Sequence, residues 1–192
     1  MQLLKERIRK EARVLPGNII KVDGFLNHRV DTALLSEMAQ EFVRVFQDQP
    51  VDIVLTVEAS GIALATATAQ ALGVPMLFAK KAKSDNIEGG LYRSEIFSYT
   101  YNKKVTLLVA KEWLRAGERV LIVDDFLANG EALRGCVEIV EQAGATLVGI
   151  GVAVEKGFQR GGDKLRAQSI PLHSLAIIER ADENGILFRE PS

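Results

Sequence analysis

Residues 120–133 read VLIVDDFLANGEAL: an apolar run, two adjacent carboxylates at Asp124 and Asp125, then the small residues Ala128, Asn129 and Gly130, and the start of a helical pattern. A continuous run of branched apolar residues points to a strand buried on both faces, the habit of parallel sheets covered by helices. A single Asp at the end of such a strand commonly caps the next helix. Two in tandem suit that role poorly, because adjacent carboxylates repel and resist desolvation unless something charged or hydroxyl-rich answers them. The small residues let successive backbone N–H groups turn inward at a helix N-terminus, a cradle for a phosphate monoester. The spacing therefore points to a sugar phosphate, with its diol on Asp124 and Asp125 and its 5′-phosphate on residues 128–132.

The pattern on either side agrees. A mostly polar helix is predicted over 2–13, a short strand over 18–22, and a helix from Asp31, its cap, to about Phe46, with Leu34, Leu35, Met38, Phe42 and Val45 facing inward. Strands are predicted at 52–57, 75–79, 105–110, 119–125 and 146–155, with helices at 61–72 and 130–143 between them and two short strands in the tail, at 171–178 and 185–190. Alternating strands and helices of this kind build an α/β domain whose central, mostly parallel sheet is flanked by helices. Residues 80–104 interrupt the rhythm. They are polar, contain glycine and start on Lys80, Lys81 and Lys83, which favours a flexible lid over an anionic ligand.

Two further loops leave strand ends on the same edge. In VEASGI (57–62), Glu58 is followed by Ala59-Ser60-Gly61, which forms either a second anion nest or a plain turn with Ser60 as N-cap. In VEKGF (154–158), Lys156 stands just past a buried strand and requires an anion or a Glu as partner. There is no Walker loop, and GIGVAV lies within a strand rather than between a strand and a helix. Cys136, the one cysteine, falls in helical register with Leu133, Val137 and Val140 and reads as core; His28 and His173 read as structural.

The 192 residues fit one domain, and a net charge of −1 provides no field to attract nucleic acid or an anionic membrane. No apolar run approaches the roughly 18 residues of a membrane span, and no signal peptide is visible, so a soluble cytoplasmic protein is expected.

VLIVDDFLANGEA resembles the phosphoribosyl-diphosphate (PRPP) signature of type I phosphoribosyltransferases, and DGFLNH, VEASGIA, VDDFLANGEA and VEKGFQ together resemble the xanthine branch of that family over about residues 1–190. The resemblance implies the type I fold as a single domain over 1–192, with a base-binding hood from about 1–30 and 155–190 and the lid at about 80–104. It implies a homodimer making xanthosine 5′-monophosphate and pyrophosphate from xanthine and PRPP in purine salvage. Carried over by position, it implies that Ala128, Asn129, Gly130, Glu131 and Ala132 hold the 5′-phosphate and that Asp124 and Asp125 bind ribose and assist catalysis. Ala59, Ser60, Gly61 and Lys81 would hold pyrophosphate, with a cis peptide expected between Ala59 and Ser60. Ile20, Asn27 and Lys156 would meet the base. Mg²⁺ is expected to arrive with PRPP rather than on protein ligands. A guanine or hypoxanthine transferase is the nearest alternative. A PRPP-sensing regulator is the other, but it would be expected to carry an added DNA-binding module or a strongly basic face.

Overall fold

Residues 1–82, 90–98, 102–182 and 185–189 are described by a computed structural model. The chain starts with helix α1 (Gln2–Glu11) and a small antiparallel pair, β1 (Arg13–Leu15) and β2 (Ile19–Lys21), followed by a π-helical turn at Asp23–Asn27 and helix α2 (Thr32–Val45). Strand β3 (Ile53–Val57), helix α3 (Gly61–Leu72), strand β4 (Met76–Ala82), strands β5 (Leu91–Ser98) and β6 (Lys103–Ala110) and strand β7 (Arg119–Leu127) come next. Helix α4 (Glu131–Gln142), strand β8 (Thr146–Lys156), a 3-10 turn at Gly157–Gln159, helix α5 (Gly161–Ala167) and strands β9 (Leu172–Asp182) and β10 (Gly185–Phe188) complete it.

Among the described residues the main sheet runs β10-β9-β8-β7-β3-β4-β6-β5, parallel from β9 to β4 and antiparallel at both edges. The expected α/β architecture is thus the one observed. Strand β7 sits near the centre, and its alternation feeds two cores. Leu121 and Val123 pack with α1, α2 and α3, whereas Val120 and Ile122 pack with Leu133, Cys136, Ile139 and Val140 of α4. Asp31 caps α2 as expected, accepting the N–H groups of Ala33 and Leu34 at 3.1 Å each. Of the residues assigned to that helix's inner face, Val45 is only half-buried.

Two expectations are corrected. Strand β7 continues to Leu127 instead of stopping at the acid pair, because β8 pairs with it through Leu127↔Glu155. The sequence reading has no strand at β1 and no helix at α5. The expected lid at 80–104 is in good part sheet: Lys80–Ala82 finish β4, β5 pairs along its whole length with β6, and Lys103 and Lys104 begin β6. The rest of it, at 83–89 and 99–101, lies outside the described residues and includes Lys83.

The glycines of GIGVAV serve packing. A Cβ on Gly149 would stand 2.5 Å from Cε1 of Phe46 and 3.0 Å from the carbonyl oxygen of Pro171, and one on Gly151 would stand 2.9 Å from the Phe42 ring. These residues let the aromatic rings of the α2 end lie directly on the sheet. Gly149→Ala is therefore expected to destabilise the fold by about 1–3 kcal/mol through overpacking, seen as a lower urea midpoint at unchanged slope. An unaltered midpoint would show that the ring moves aside freely.

Candidate active site

Strands β3, β7 and β8 are neighbours, and all three point their carboxyl ends to one edge of the sheet. Their exits are Glu58–Ser60, Ala128–Gly130 and Lys156, so the three loops singled out in the sequence converge on the crevice where open parallel sheets bind ligands.

Asp125 lies at the middle of this edge with only 4% of its surface exposed. It accepts a hydrogen bond from Nδ2 of Asn27 at 3.0 Å and another from Oγ of Ser60 at 2.9 Å. Asn27 is carried there by the π-helical turn, which is anchored by the buried Phe25 and Leu26. Ser60 opens α3 but makes no side-chain cap, since its hydroxyl is spent on Asp125. The plain N-cap role is thereby excluded.

Asp124, one residue earlier, has different surroundings. Its Oδ1 accepts the N–H of Asp125 at 3.0 Å, and a Cβ on Gly61 would stand 2.4 Å from the same oxygen. Only glycine at 61 leaves room for this carboxylate against the start of α3. Burial, reinforced by the charge of Asp125, pushes the Asp124 carboxyl well above the usual carboxylate range. Burial likewise pushes the Cys136 thiol up, with Asp124 adding to the effect, which fits an inert core cysteine.

The loop after β7 turns at Gly130, whose φ of +87° suits a residue without a side chain. The loop is braced from behind. Gly161, at the start of α5, donates its N–H to the carbonyl of Ala128 at 3.1 Å, and a Cβ there would stand 2.2 Å from that oxygen. Ala128 through Ala132 line a cavity of about 180 Å³ together with Lys81, Ile96, Phe97 and Phe126. The carboxylate of Glu131 is directed outward to the N–H of Phe97 at 3.4 Å and to Arg134 at 3.1 Å, which leaves the helix N-terminus open to an anion.

In the β3 exit, the cis peptide joins Glu58 to Ala59, one residue before the expected place, and the Ala59–Ser60 peptide is not cis. Glu58 Oε1 accepts the backbone N–H of Lys81 at 2.5 Å, so the turn is tied to the end of β4 and Lys81 is placed at the cavity. Lys156 holds its ammonium 5.6 Å from the centre of the Phe126 ring; burial lowers its pKa, and no carboxylate among the described residues lies within 4.0 Å of it. The alternative of a Glu partner falls, because the neighbouring Glu155 is taken by Arg166 at 2.6 and 2.8 Å. Ile20 is not brought into the crevice by its side chain, which is 6% exposed and belongs to the core between α1 and α2. His28 is exposed and His173 half-buried in β9.

The sequence reading passes over Glu155, Arg166 and the Gly161-Gly162 pair. A double glycine at the start of a helix was the available signal of close approach.

This arrangement, an acid pair between two strand-exit loops with a lysine across from them, is borne by a chain whose residues 25–177 match the model of the phosphoribosyl transferase domain. The adenine phosphoribosyltransferase of Giardia lamblia, solved with 9-deazaadenine, superposes with a TM-score of 0.77 at 25% identity, over 92% of this chain and 98% of the other. That of Thermoanaerobacter pseudethanolicus superposes with a TM-score of 0.72 at 23% identity, over 91% and 98%. Sequence relatives are nearer still. The xanthine phosphoribosyltransferase of Alkaliphilus metalliredigens is 50% identical over 99% of this chain and 94% of its own, and that of Bifidobacterium longum is 51% identical over 98% and 100%. The chain belongs to the phosphoribosyltransferase family, and within it to the group of the xanthine phosphoribosyltransferases.

The raised pKa of Asp124 has a thermodynamic sign. A folded-state pKa above the unfolded 3.8 means that the folded protein binds this proton more tightly, so stability falls as pH rises from about 4 towards the folded pKa. Asp124→Asn, which mimics the protonated acid and retains an oxygen for the N–H of Asp125, is expected to melt higher than the parent at neutral pH. The difference should close as pH falls towards 4. Melting curves across that range check this, and a variant less stable at neutral pH would contradict it.

Proposed function

We propose that this protein transfers the phosphoribosyl group of PRPP to xanthine, giving xanthosine 5′-monophosphate and pyrophosphate in purine salvage. The observation that carries the site assignment is the double hydrogen bond to Asp125. Asn27, which this reading assigns to the base, and Ser60, which it assigns to pyrophosphate, both donate to it, so on this reading the base, ribose and pyrophosphate positions meet at one carboxylate. Near-half identity to xanthine phosphoribosyltransferases along the whole chain supports the choice of base.

In this reading residues 128–132 hold the 5′-phosphate, Asp124 and Asp125 answer the ribose diol, and Ala59, Ser60, Gly61 and Lys81 receive pyrophosphate. Asn27 and Lys156 meet the base. Ile20 joins them through the main chain of β2, its side chain being packed in the core. The base nitrogen displaces pyrophosphate at the anomeric carbon, and positive charge develops on the ribose in the transition state. The two acids sit where that charge is stabilised electrostatically. The anion loops clamp both ends of the substrate, so the reacting atoms start in line.

In this reading Mg²⁺ is held by the substrate's own phosphate oxygens, the hard oxygen donors this ion prefers. When bound it disperses charge on the departing pyrophosphate. The remaining features of the reading are a hood from about 1–30 and 155–190 over the base, a lid within 80–104, a homodimer and a cytoplasmic location. Among the described residues no helix is long and apolar enough to cross a membrane.

Selection of the base follows from charge. Xanthine has carbonyls at carbons 2 and 6 and is acidic enough to carry negative charge, which suits a half-buried ammonium without a carboxylate partner among the described residues. Adenine would turn an amino group towards that ammonium, a mismatch of roughly 1–3 kcal/mol. PRPP-dependent turnover of xanthine, guanine, hypoxanthine and adenine, measured on the wild type and on Lys156→Ala, tests both points. Xanthine should lead in the wild type. The variant should lose most of its xanthine kcat/KM and its preference over adenine while binding PRPP normally. A variant that kept the preference would make Lys156 structural, and a wild type that favoured guanine or hypoxanthine would make the alternative reading correct.

A further inference from the structure

Glu155 is a buried charge that the reaction does not use. It is 1% exposed, accepts hydrogen bonds from the two terminal nitrogens of Arg166 at 2.8 and 2.6 Å, and accepts another from the Ser174 hydroxyl. The carboxylate is fully buried while Arg166 is about one-third exposed, and the cost of taking a carboxylate out of water makes such a pair weak evidence of stability, so its presence calls for a further reason. Its position supplies one. Glu155 lies opposite Leu127 in the β7–β8 pairing, one residue before the loop at 128–132, and it directly precedes Lys156 in the chain. Its carboxylate also forms the floor under α5, where a Cβ on Gly162 would stand 2.1 Å from Oε1.

Gly162 thus rests on Glu155, and Gly161 presses on the loop, with the N–H of Gly161 on the Ala128 carbonyl at 3.1 Å and its Cα too close to that oxygen for any Cβ. The two glycines are a wedge between a fixed carboxylate and the peptide groups of residues 128–130. Arg166, on the last turn of the same helix, closes the far side, so α5 is held at both ends by one carboxylate.

We propose that Glu155 is a positioning residue for PRPP: by seating α5 it sets the depth and the peptide orientation of the loop at 128–132 without touching the ligand. The inference rests on the reading that this loop holds the 5′-phosphate. A neutral side chain of the same shape loses the paired charge and turns an amide donor towards Arg166, which loosens α5 and lets the loop relax. An error in placement of about 1 Å costs on the order of tenfold or more in binding and turnover.

The test is steady-state kinetics of Glu155→Gln, Gly161→Ala and Gly130→Ala, each with a melting temperature. Gly130→Ala perturbs the loop itself, at its positive φ, and reports on the underlying reading. All three variants are expected to raise the KM for PRPP, Glu155→Gln by about tenfold, with kcat at saturating PRPP reduced much less. If Gly130→Ala raises that KM and Glu155→Gln only lowers the melting temperature, the carboxylate is structural and the proposal is overturned. If Gly130→Ala leaves the KM unchanged, the phosphate-loop reading itself fails and the proposal falls with it. Should Glu155→Gln not fold, Ser174→Ala, which removes one hydrogen bond to the carboxylate and leaves the ion pair, takes its place with a smaller rise expected and the same overturning result.

Discussion

A carboxylate at the end of a central strand has little water to solvate it, and the active edge of this protein is arranged around that fact. Asp125 is answered by Asn27 and Ser60, two side chains delivered by elements far away in the chain. Once they are in place, the π-helical turn, the start of α3 and the end of β7 cannot move independently. Hydrogen bonds to a charged acceptor are worth about 1.5–3 kcal/mol each, and leaving such a group unpaired costs more. Asp124 lacks comparable donors among the described residues, and burial raises the pKa of its carboxyl well above the usual range.

These two responses to burial assign different duties to adjacent residues of one strand. Alternation along β7 turns successive side chains to opposite faces, so the pair does not act as a symmetric clamp. Asp125 meets Asn27 and Ser60, while Asp124 stands close against Gly61 at the root of α3. The hydroxyl of Thr56 is fully buried and lacks a hydrogen-bond partner among the described residues, a further sign that this corner carries a cost that packing alone does not explain. Stability is given up at this acid pair, a cost of the kind common at active sites.

The central architecture was legible because it is local in origin. Branched apolar runs make strands, amphipathic periodicity makes helices, and their alternation dictates a parallel sheet. What escaped is held by distant contacts. Helix α5 begins with two glycines and has little propensity of its own; Glu155, from β8, holds it in place. Strand β5 is an edge strand secured by α4 side chains, with Gln142 exchanging hydrogen bonds with the Arg93 main chain and Ser94 bonded to Glu138. Within the site the acid pair, the small-residue loop and Lys156 could be read from spacing. The contact between Asn27 and Asp125 could not, since 98 residues separate them. Ile20 shows the converse. Correspondence of position with the family says nothing about which way a strand turns its side chain, and the alternation of β2 turns this one into the core.

The central claim is that Asp124 and Asp125 bind the ribose of PRPP at the end of β7. Equilibrium titration of the wild type and of the double variant Asp124→Asn/Asp125→Asn with PRPP and Mg²⁺ measures it directly, with melting temperature confirming that the variant is folded. With charged hydrogen bonds at about 1.5–3 kcal/mol each, affinity should fall on the order of 10² or more. A folded double variant that binds PRPP as tightly as the wild type would contradict the account.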